Sequence, residues 1–260
     1  MNTKRLLSVA GLALLAGLAL SACKKNEEEN PPPAGNNNPP PSNDPPSTTP
    51  SFGDADGVLA AVRSVTTTST PMGDIDIIMG IASGAFSNDG FSTYANVGTV
   101  TCNGEALAAQ SNGTYVYSPT ASNPTGIDFT ASNNVTWDVA GGSGFTGFTR
   151  TIATPFPGVD AINSSSTVVR ADGYTLTTTA VTNADSVIFT LGSLVRVKPG
   201  TATSCTFSAS ELAGQAAGTS VAQIVGYSYT NETIAGKKIY FVKEGARALS
   251  RNGIPTFPSA

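Results

Sequence analysis

From residue 52 onward, short runs rich in Val, Ile, Thr, Tyr and Phe alternate with clusters of Gly, Asn, Asp and Pro. The clusters recur about every ten residues, a spacing typical of β-sandwiches and barrels. No run keeps a helical period for more than about two turns. The pattern predicts an all-β fold, with strands near residues 58–69, 74–86, 96–102, 113–118, 127–139, 174–181, 187–191, 194–197, 202–207, 221–229 and 237–243.

Two local motifs sharpen this prediction. Asn103-Gly104 lies between two short apolar runs and favours a type I′ hairpin, in which both central residues need positive φ. Ser208 and Glu211 have the spacing of a capping box, in which the serine caps a short helix and the glutamate reaches back. Residues 141–144 (GGSG) predict a junction between two parts of the head.

The strand order over roughly residues 150–250 resembles an immunoglobulin or fibronectin type III sandwich. In that resemblance, the turn at Ser208 crosses between two sheets before the strand that bears Tyr227 and Tyr229. The likeness is architectural, because the Cys…Trp…Cys framework is missing and Trp137 lies outside this half. We predict one or two immunoglobulin-like β-sandwich units: an N-terminal β unit at 52–142, a sandwich at 143–252 and a tail at 253–260.

The N-terminus has the organisation of a secretory signal: Lys4-Arg5, then an apolar run from Leu6 to Leu20 that is too short to cross a bilayer. The run ends in Leu20-Ser21-Ala22-Cys23, which resembles the lipobox of bacterial lipoproteins. The resemblance implies removal of a signal peptide at 1–22 and attachment of lipid, including palmitate, to Cys23. Several acyl chains on one residue would anchor the protein firmly in a membrane.

The residues after Cys23 indicate where such an anchor would be placed. Lys24-Lys25 is followed by an acidic cluster at 27–29, similar to the surface-export signal of Bacteroidota lipoproteins, and no Asp follows the cysteine directly. We therefore expect an outer-membrane location facing the exterior, with the periplasmic face as the alternative. Residues 23–51 form a Pro/Asn-rich linker that we expect to be disordered, a stalk of at most roughly 80 Å.

The composition limits the chemistry that the head can perform. The chain has no His, so Ser-His-Asp and Cys-His catalysis and His-ligated metals are excluded. Its net charge of −4 argues against nucleic acid as a partner. No pair of acids lies in a recognisable catalytic motif, and we predict no catalytic residue. The expected function is a non-catalytic binding or structural module for a surface glycan or protein; the alternative is an accessory polysaccharide hydrolase or glycan-binding protein.

A few residues remain as candidate sites, each with a structural alternative. Cys102 and Cys205 are either a disulfide or two separate buried thiols. Phe145 and Phe148 are either ligand-contacting aromatics on a loop or core residues. The acidic turns, for example Asp54-x-Asp56-Gly57, contain Ca²⁺-type ligands but lack a twelve-residue calcium loop, so we predict ordinary turns and no metal or cofactor.

Overall fold

The computed structural model describes residues 52–70, 72–249 and 256–257. The fold is all-β and sandwich-like, as predicted. Its one described α-helix is α1 (Ala209–Leu212). The strands are β1 (Gly57–Thr70), β2 (Gly73–Phe86), β3 (Val100–Cys102), β4 (Glu105–Ala106), β5 (Ala108–Ala109), β6 (Tyr115–Tyr117), β7 (Val135–Val139), β8 (Phe148–Ile152), β9 (Gly158–Val159), β10 (Tyr174–Thr177), β11 (Val181–Thr182), β12 (Ser186–Leu191), β13 (Leu194–Pro199), β14 (Ser204–Phe207), β15 (Gly218–Thr219), β16 (Ala222–Ile234), β17 (Lys237–Ala248) and β18 (Thr256–Phe257).

A main sheet of eight strands organises the head, in the order β13-β12-β16-β17-β1-β2-β6-β5. The β1–β17 pair is parallel, whereas the other neighbours in this sheet are antiparallel. β1 and β2 form a long hairpin; we call its end at Gly57 proximal and its end at Thr70 distal. A four-stranded sheet (β4-β3-β7-β8) and smaller two-stranded sheets complete the structure.

This topology corrects the predicted division of the head at residue 142. β1 from the first predicted unit pairs with β17 from the second over ten residue pairs, Gly57↔Ile239 to Thr66↔Ala248. The backbone hydrogen bonds of β17 are therefore shared between strands from both units. Residues 143–252 consequently do not form a separate sandwich with its own two sheets.

The two faces of the main sheet differ in what covers them. Because side chains alternate along a strand, Leu59 and Phe241 point to one face, the inner face, and Val58 and Tyr240 point to the other, the outer face. The four-stranded sheet covers the inner face around β1, β2 and β17. The β10–β14 pair and α1 cover it around β12 and β16.

Two cores lie beneath these inner-face layers. The first contains Trp137, Phe86, Phe129 and Phe241. The second is built from apolar residues of β10, β12, β14, β16 and α1, namely Leu176, Phe189, Phe207, Leu212 and Ile224. The head is thus one continuous sheet with two hydrophobic cores on the same face.

The local motifs form as predicted. Asn103 and Gly104 have φ of 50° and 85° and join β3 to β4 in a two-residue loop. Ser208 accepts a hydrogen bond from the Glu211 backbone N–H, and the Glu211 carboxylate accepts one from the Ser208 backbone N–H. The capped turn leads from β14, which covers the inner face, to β16 in the main sheet.

Candidate binding groove

A groove opens on the inner face of the main sheet, toward the distal end of the β1–β2 hairpin. It consists of two adjoining cavities of about 400 and 260 Å³ that share Arg63, Asp76 and Ile78. The larger cavity is closed on its other side by the loop at residues 125–130, and the smaller by residues 157–160 and β17. The groove therefore lies where the two inner-face layers leave the sheet uncovered.

Arg63 lies at the centre of this groove, because β1 places it on the inner face two residues beyond the core residue Ala61. Its guanidinium carbon is 5.2 Å from the ring centre of Phe156, and Nη2 donates a long hydrogen bond of 3.5 Å to the Pro157 carbonyl. Burial lowers the pKa of Arg63. No ion pair involves Arg63 within the described residues, so most of its N–H donors remain available for a ligand.

A second guanidinium, that of Arg247 on β17, is by contrast held by the protein. It donates 3.1 Å hydrogen bonds to the Val159 carbonyl and to Asp76 Oδ2, and one of 2.7 Å to the Thr67 hydroxyl. The Thr67 hydroxyl also donates to Asp76 Oδ1 at 2.6 Å. The Thr67 hydrogen bond, followed by Arg247, holds the pKa of Asp76 below its ordinary value despite partial burial. Asp76 is therefore a fixed, ionised acceptor.

Two further carboxylates line the groove, Asp128 in the larger cavity and Asp160 in the smaller. The backbone N–H and hydroxyl of Thr130 donate to Asp128 Oδ1, and these bonds lower the pKa of Asp128. A glycosidase needs a carboxylic acid that stays protonated, which requires a raised pKa. Asp76 and Asp128 have the opposite shift, so they suit the binding of hydroxyl groups better than proton donation.

The structure places Phe145 in the first core and Phe148 at the edge of that core. Phe145 is only 6% exposed, and its ring centre is 5.3 Å from that of Phe86. Phe148 is half-buried, with its ring centre 6.3 Å from that of Phe241. Residues 141–147 bring these rings down onto the main sheet instead of exposing them. The core interpretation therefore holds for Phe145, whereas the ligand-contact interpretation of Phe148 stays a prediction.

For Cys102 and Cys205, the structure favours two separate buried thiols over a disulfide. Cys102 lies in the first core and Cys205 in the second, and within the described ranges the two sulfurs form no disulfide. Burial raises the pKa of the Cys102 thiol to about 12. The two cysteines fill separate cores because β3 belongs to the four-stranded sheet and β14 to the other inner-face layer.

The first acidic turn binds cations of the chain itself. Asp54 accepts hydrogen bonds from Lys238 Nζ and from the Tyr240 hydroxyl, and Asp56 accepts them from Lys237 Nζ and the Lys238 backbone N–H. These contacts fasten the start of β1 to the start of β17. Among residues 52–70, 72–249 and 256–257, no three His, Cys, Asp or Glu side chains form a metal-binding group. Cys23, the signal segment and the linker fall outside the described residues.

Sequence reasoning missed the groove because its residues are distant in the chain, at positions 63, 76, 128 and 247. One signal was available: Arg63 interrupts the apolar run of β1 at a position whose neighbours two residues away, Ala61 and Val65, face the same side. A charged residue at such a position of a buried strand needs a partner or a cavity. Arg247 is one of several Lys and Arg residues near the C-terminus, so its type and position give no separate signal.

Comparison with known proteins adds no family to this description. No protein-family model matches the chain, and no curated protein matches it either. In the part of the chain that the structure describes, no helix has the length and apolar character needed to span a bilayer.

Proposed function

We propose that this protein is an outer-membrane lipoprotein, facing the cell exterior, whose non-catalytic β-sandwich head binds a surface glycan in the groove around Arg63. The lipobox-like Leu20-Ser21-Ala22-Cys23 supports the anchor, with acyl chains on Cys23. The acidic cluster after Lys24-Lys25 supports the outward orientation.

The separation between the tether and the groove is the observation that carries this proposal. The head begins at Phe52, beside the proximal start of β1, and the groove lies between Arg63 and the Thr67–Asp76 pair farther along the hairpin. Six residues of strand separate Gly57 from Arg63, the near end of the groove, which is roughly 20 Å. A membrane-anchored head of this shape would hold its groove away from the lipid surface, where a large polymer can reach it.

The lining of the groove favours a polar ligand with little net charge. The charges of the lining nearly balance: it contains two guanidinium groups (Arg63 and Arg247) and three carboxylates (Asp76, Asp128 and Asp160). Such donors and acceptors match neighbouring hydroxyl groups of a sugar, while Ile78 supplies an apolar wall. A cavity of about 400 Å³ is of the size that accommodates small ligands. The lowered pKa values of Asp76 and Asp128 favour binding over hydrolysis.

Binding of the full-length protein to surface polysaccharide from the producing cells tests this function. We expect Arg63→Ala and Asp128→Asn each to weaken binding at least tenfold in titration calorimetry, which corresponds to about 1.4 kcal/mol. Arg150→Ala is the matched control, because Arg150 is exposed and pairs with Glu232 away from the groove lining. Equal affinity of all variants, or no binding of any polysaccharide by the wild type, would overturn the proposal.

A further inference from the structure

The distal half of β2 lies at an edge of the main sheet. β2 pairs with β1 over its whole length. On its other side it pairs with β6 only at residues 82–84, and the loop at 125–127 bonds to Gly80. Among the described residues, no strand pairs with residues 73–79 on that side. We call residues 73–79 of β2, on the side away from β1, the open edge.

The open edge presents a regular row of backbone hydrogen-bonding groups. The Gly80 N–H donates to the Thr125 carbonyl at 2.8 Å, and the Gly80 carbonyl accepts from the Ile127 N–H at 3.1 Å. Backbone groups of alternate strand residues point to the same side, so those of residues 74, 76 and 78 also point away from β1. A further strand can therefore continue the pairing that the loop at 125–127 begins.

Exposed apolar side chains are concentrated at the same place. Within the described ranges, seven large apolar side chains are exposed. Four of the seven lie on the open edge or in the turn before it, at 96, 52, 45 and 37% exposed: Met72, Ile75, Ile77 and Ile78. Ile75 and Ile77 lie on the outer face, because they pair with Thr68 and Thr66 of β1. An exposed apolar strand at a sheet edge is a template for pairing with another chain.

The other edge positions of the main sheet are protected against such pairing. β13, at the opposite edge, contains Arg196, Lys198 and Pro199, and charged residues and proline oppose the addition of a strand. β5, at the end of the strand order beyond β6, is only two residues long. The sequence from Gly73 to Met79 contains no Lys, Arg or Pro. The open edge therefore combines the length and the composition that favour strand addition.

The charge of the open edge disfavours a second copy of the chain as its partner. Residues 74 and 76 are both Asp, and Asp76 is ionised. An antiparallel pair of copies centred on residue 76 places these acids opposite each other, and one centred on residue 75 places residue 74 opposite residue 76. Like charges directly opposite are destabilising. A pair centred on residue 77 places residue 74 opposite Gly80, where the loop at 125–127 already lies.

We propose that the open edge binds an extended segment of another protein, in which apolar and basic residues alternate. The segment adds a strand to β2, with its apolar residues on Ile75 and Ile77 and its basic residues beside the acids of the inner face. Asp76 can accept further hydrogen bonds, because its side chain is 44% exposed and a carboxylate has about four acceptor positions. Thr67 and Arg247 occupy two of them. The proposal does not depend on lipidation of Cys23 or on the ligand of the groove.

Fluorescence anisotropy of the full-length protein with a labelled peptide, Val-Lys-Val-Lys-Val-Lys-Val, tests the charge and the apolar contact. We expect the wild type to bind it, and to bind the same peptide with Glu in place of Lys about tenfold more weakly. Ile77→Lys should weaken binding of the lysine peptide by about tenfold. Val195→Lys is the matched control, because Val195 is similarly exposed on the outer face at the β13 edge, and its affinity should stay unchanged.

Methylation of the peptide backbone tests strand addition itself. Alternate residues of a strand direct their N–H groups to opposite sides. Methylation of all lysine nitrogens, or of all valine nitrogens, therefore removes the donors on one side only. We expect one methylated peptide to lose binding and the other to retain it.

Four results would overturn the proposal. The wild type could fail to bind the lysine peptide. The Lys and Glu peptides, or Ile77→Lys and the wild type, could give equal affinities. Both methylated peptides could behave alike, which would exclude strand addition. Sedimentation could show a wild-type dimer that Ile77→Lys abolishes, which would assign the open edge to a second copy. Thermal unfolding checks the fold of Ile77→Lys, and Ile75→Lys takes its place if that variant does not fold.

Discussion

Each face of the main sheet contains a buried ionisable side chain, but the two side chains differ in their hydrogen-bond partners. Two consecutive residues of β17 show the contrast. Lys243 points to the inner face, where its Nζ donates to the carbonyls of Asn133, Ile152 and Thr154 at 2.5, 2.9 and 2.6 Å. Glu244 points to the outer face, where its Oε2 finds no described partner. Burial lowers the pKa of Lys243 to about 8 and raises that of Glu244 to about 7.

The comparison teaches that the inner face is fastened by polar contacts as well as by its cores. Three loop or strand-end carbonyls converge on the Lys243 ammonium. On the outer face the carboxyl of Glu244 avoids the cost of a buried charge by remaining protonated to a higher pH. The inner face should therefore be sensitive to side-chain removal, and the outer face to pH.

The largest expected effect follows from Lys243→Met, which keeps the volume of the side chain but removes its three donors. Three carbonyl acceptors would remain in a partly dry environment, so we expect a loss of about 4 kcal/mol in the free energy of unfolding. Urea denaturation at pH 7 measures it. Lys238→Met is the control, because Lys238 binds the exposed Asp54 and its loss should be much smaller. Similar losses for both variants would contradict the role given to Lys243.

Glu244→Gln tests the pH dependence expected of the outer face. The folded protein binds the Glu244 proton more tightly than the unfolded chain does, with a pKa of about 7 against 4.5. The stability of the wild type should therefore fall as pH rises from about 4.5 to 7, by about 3 kcal/mol. Glutamine cannot ionise and escapes this loss.

Denaturation of the wild type and Glu244→Gln between pH 4.5 and 8.5 measures the effect. The two stability curves should lie close together near pH 4.5, and the variant should become the more stable protein above pH 7. Parallel curves over the whole range would show that Glu244 does not carry a raised pKa. Glu232→Gln, an exposed change on β16, controls for other carboxylates.

Ser208→Ala tests the inner-face cover at α1 and should have a moderate effect. The serine side chain caps a turn that places Leu212 in the second core. Loss of such a cap costs about 1 kcal/mol, so the midpoint of thermal unfolding should fall by a few degrees. Ser210→Ala is the control: the Ser210 hydroxyl lies 3.0 Å from that of Ser208 but does not cap the helix, so its loss should lower the midpoint less.

The smallest effect is expected for the ion pair between Arg150 of β8 and Glu232 of β16. The two side chains meet at 2.7 Å, but both are more than 40% exposed. A double-mutant cycle with Arg150→Ala and Glu232→Ala should give a coupling below about 1 kcal/mol, because water screens exposed pairs. A much larger coupling would mean that surface pairs, and not Lys243, fasten the four-stranded sheet.

The sequence was most informative where the structure depends on neighbouring residues. The Asn103-Gly104 turn and the Ser208–Glu211 capping box were predictable, because each motif satisfies backbone groups within a few residues. The turn at Ala235-Gly236 was missed, because Ala235 has a φ of 49° that alanine seldom adopts. β16 accordingly extends to Ile234, beyond its predicted end at residue 229. At its far end, β17 continues to Ala248, beyond the predicted residue 243.

Features that join distant parts of the chain were not predictable from one sequence. The parallel pairing of β1 with β17 connects residues more than 180 positions apart. The sequence of neither strand indicates which strand it pairs with. The residue pattern predicts one strand over 127–139, but Thr130 folds back on Asp128 and only Val135–Val139 forms a strand. The same loop forms one wall of the groove, so the candidate site depended on the tertiary structure that the strand pattern left undetermined.

Metabolic labelling with palmitate tests the anchored-head account most directly. The account predicts a labelled wild-type protein in the outer-membrane fraction, and an unlabelled Cys23→Ala variant that leaves the membrane with its head still folded. An unlabelled wild-type protein recovered in the soluble fraction would contradict the account.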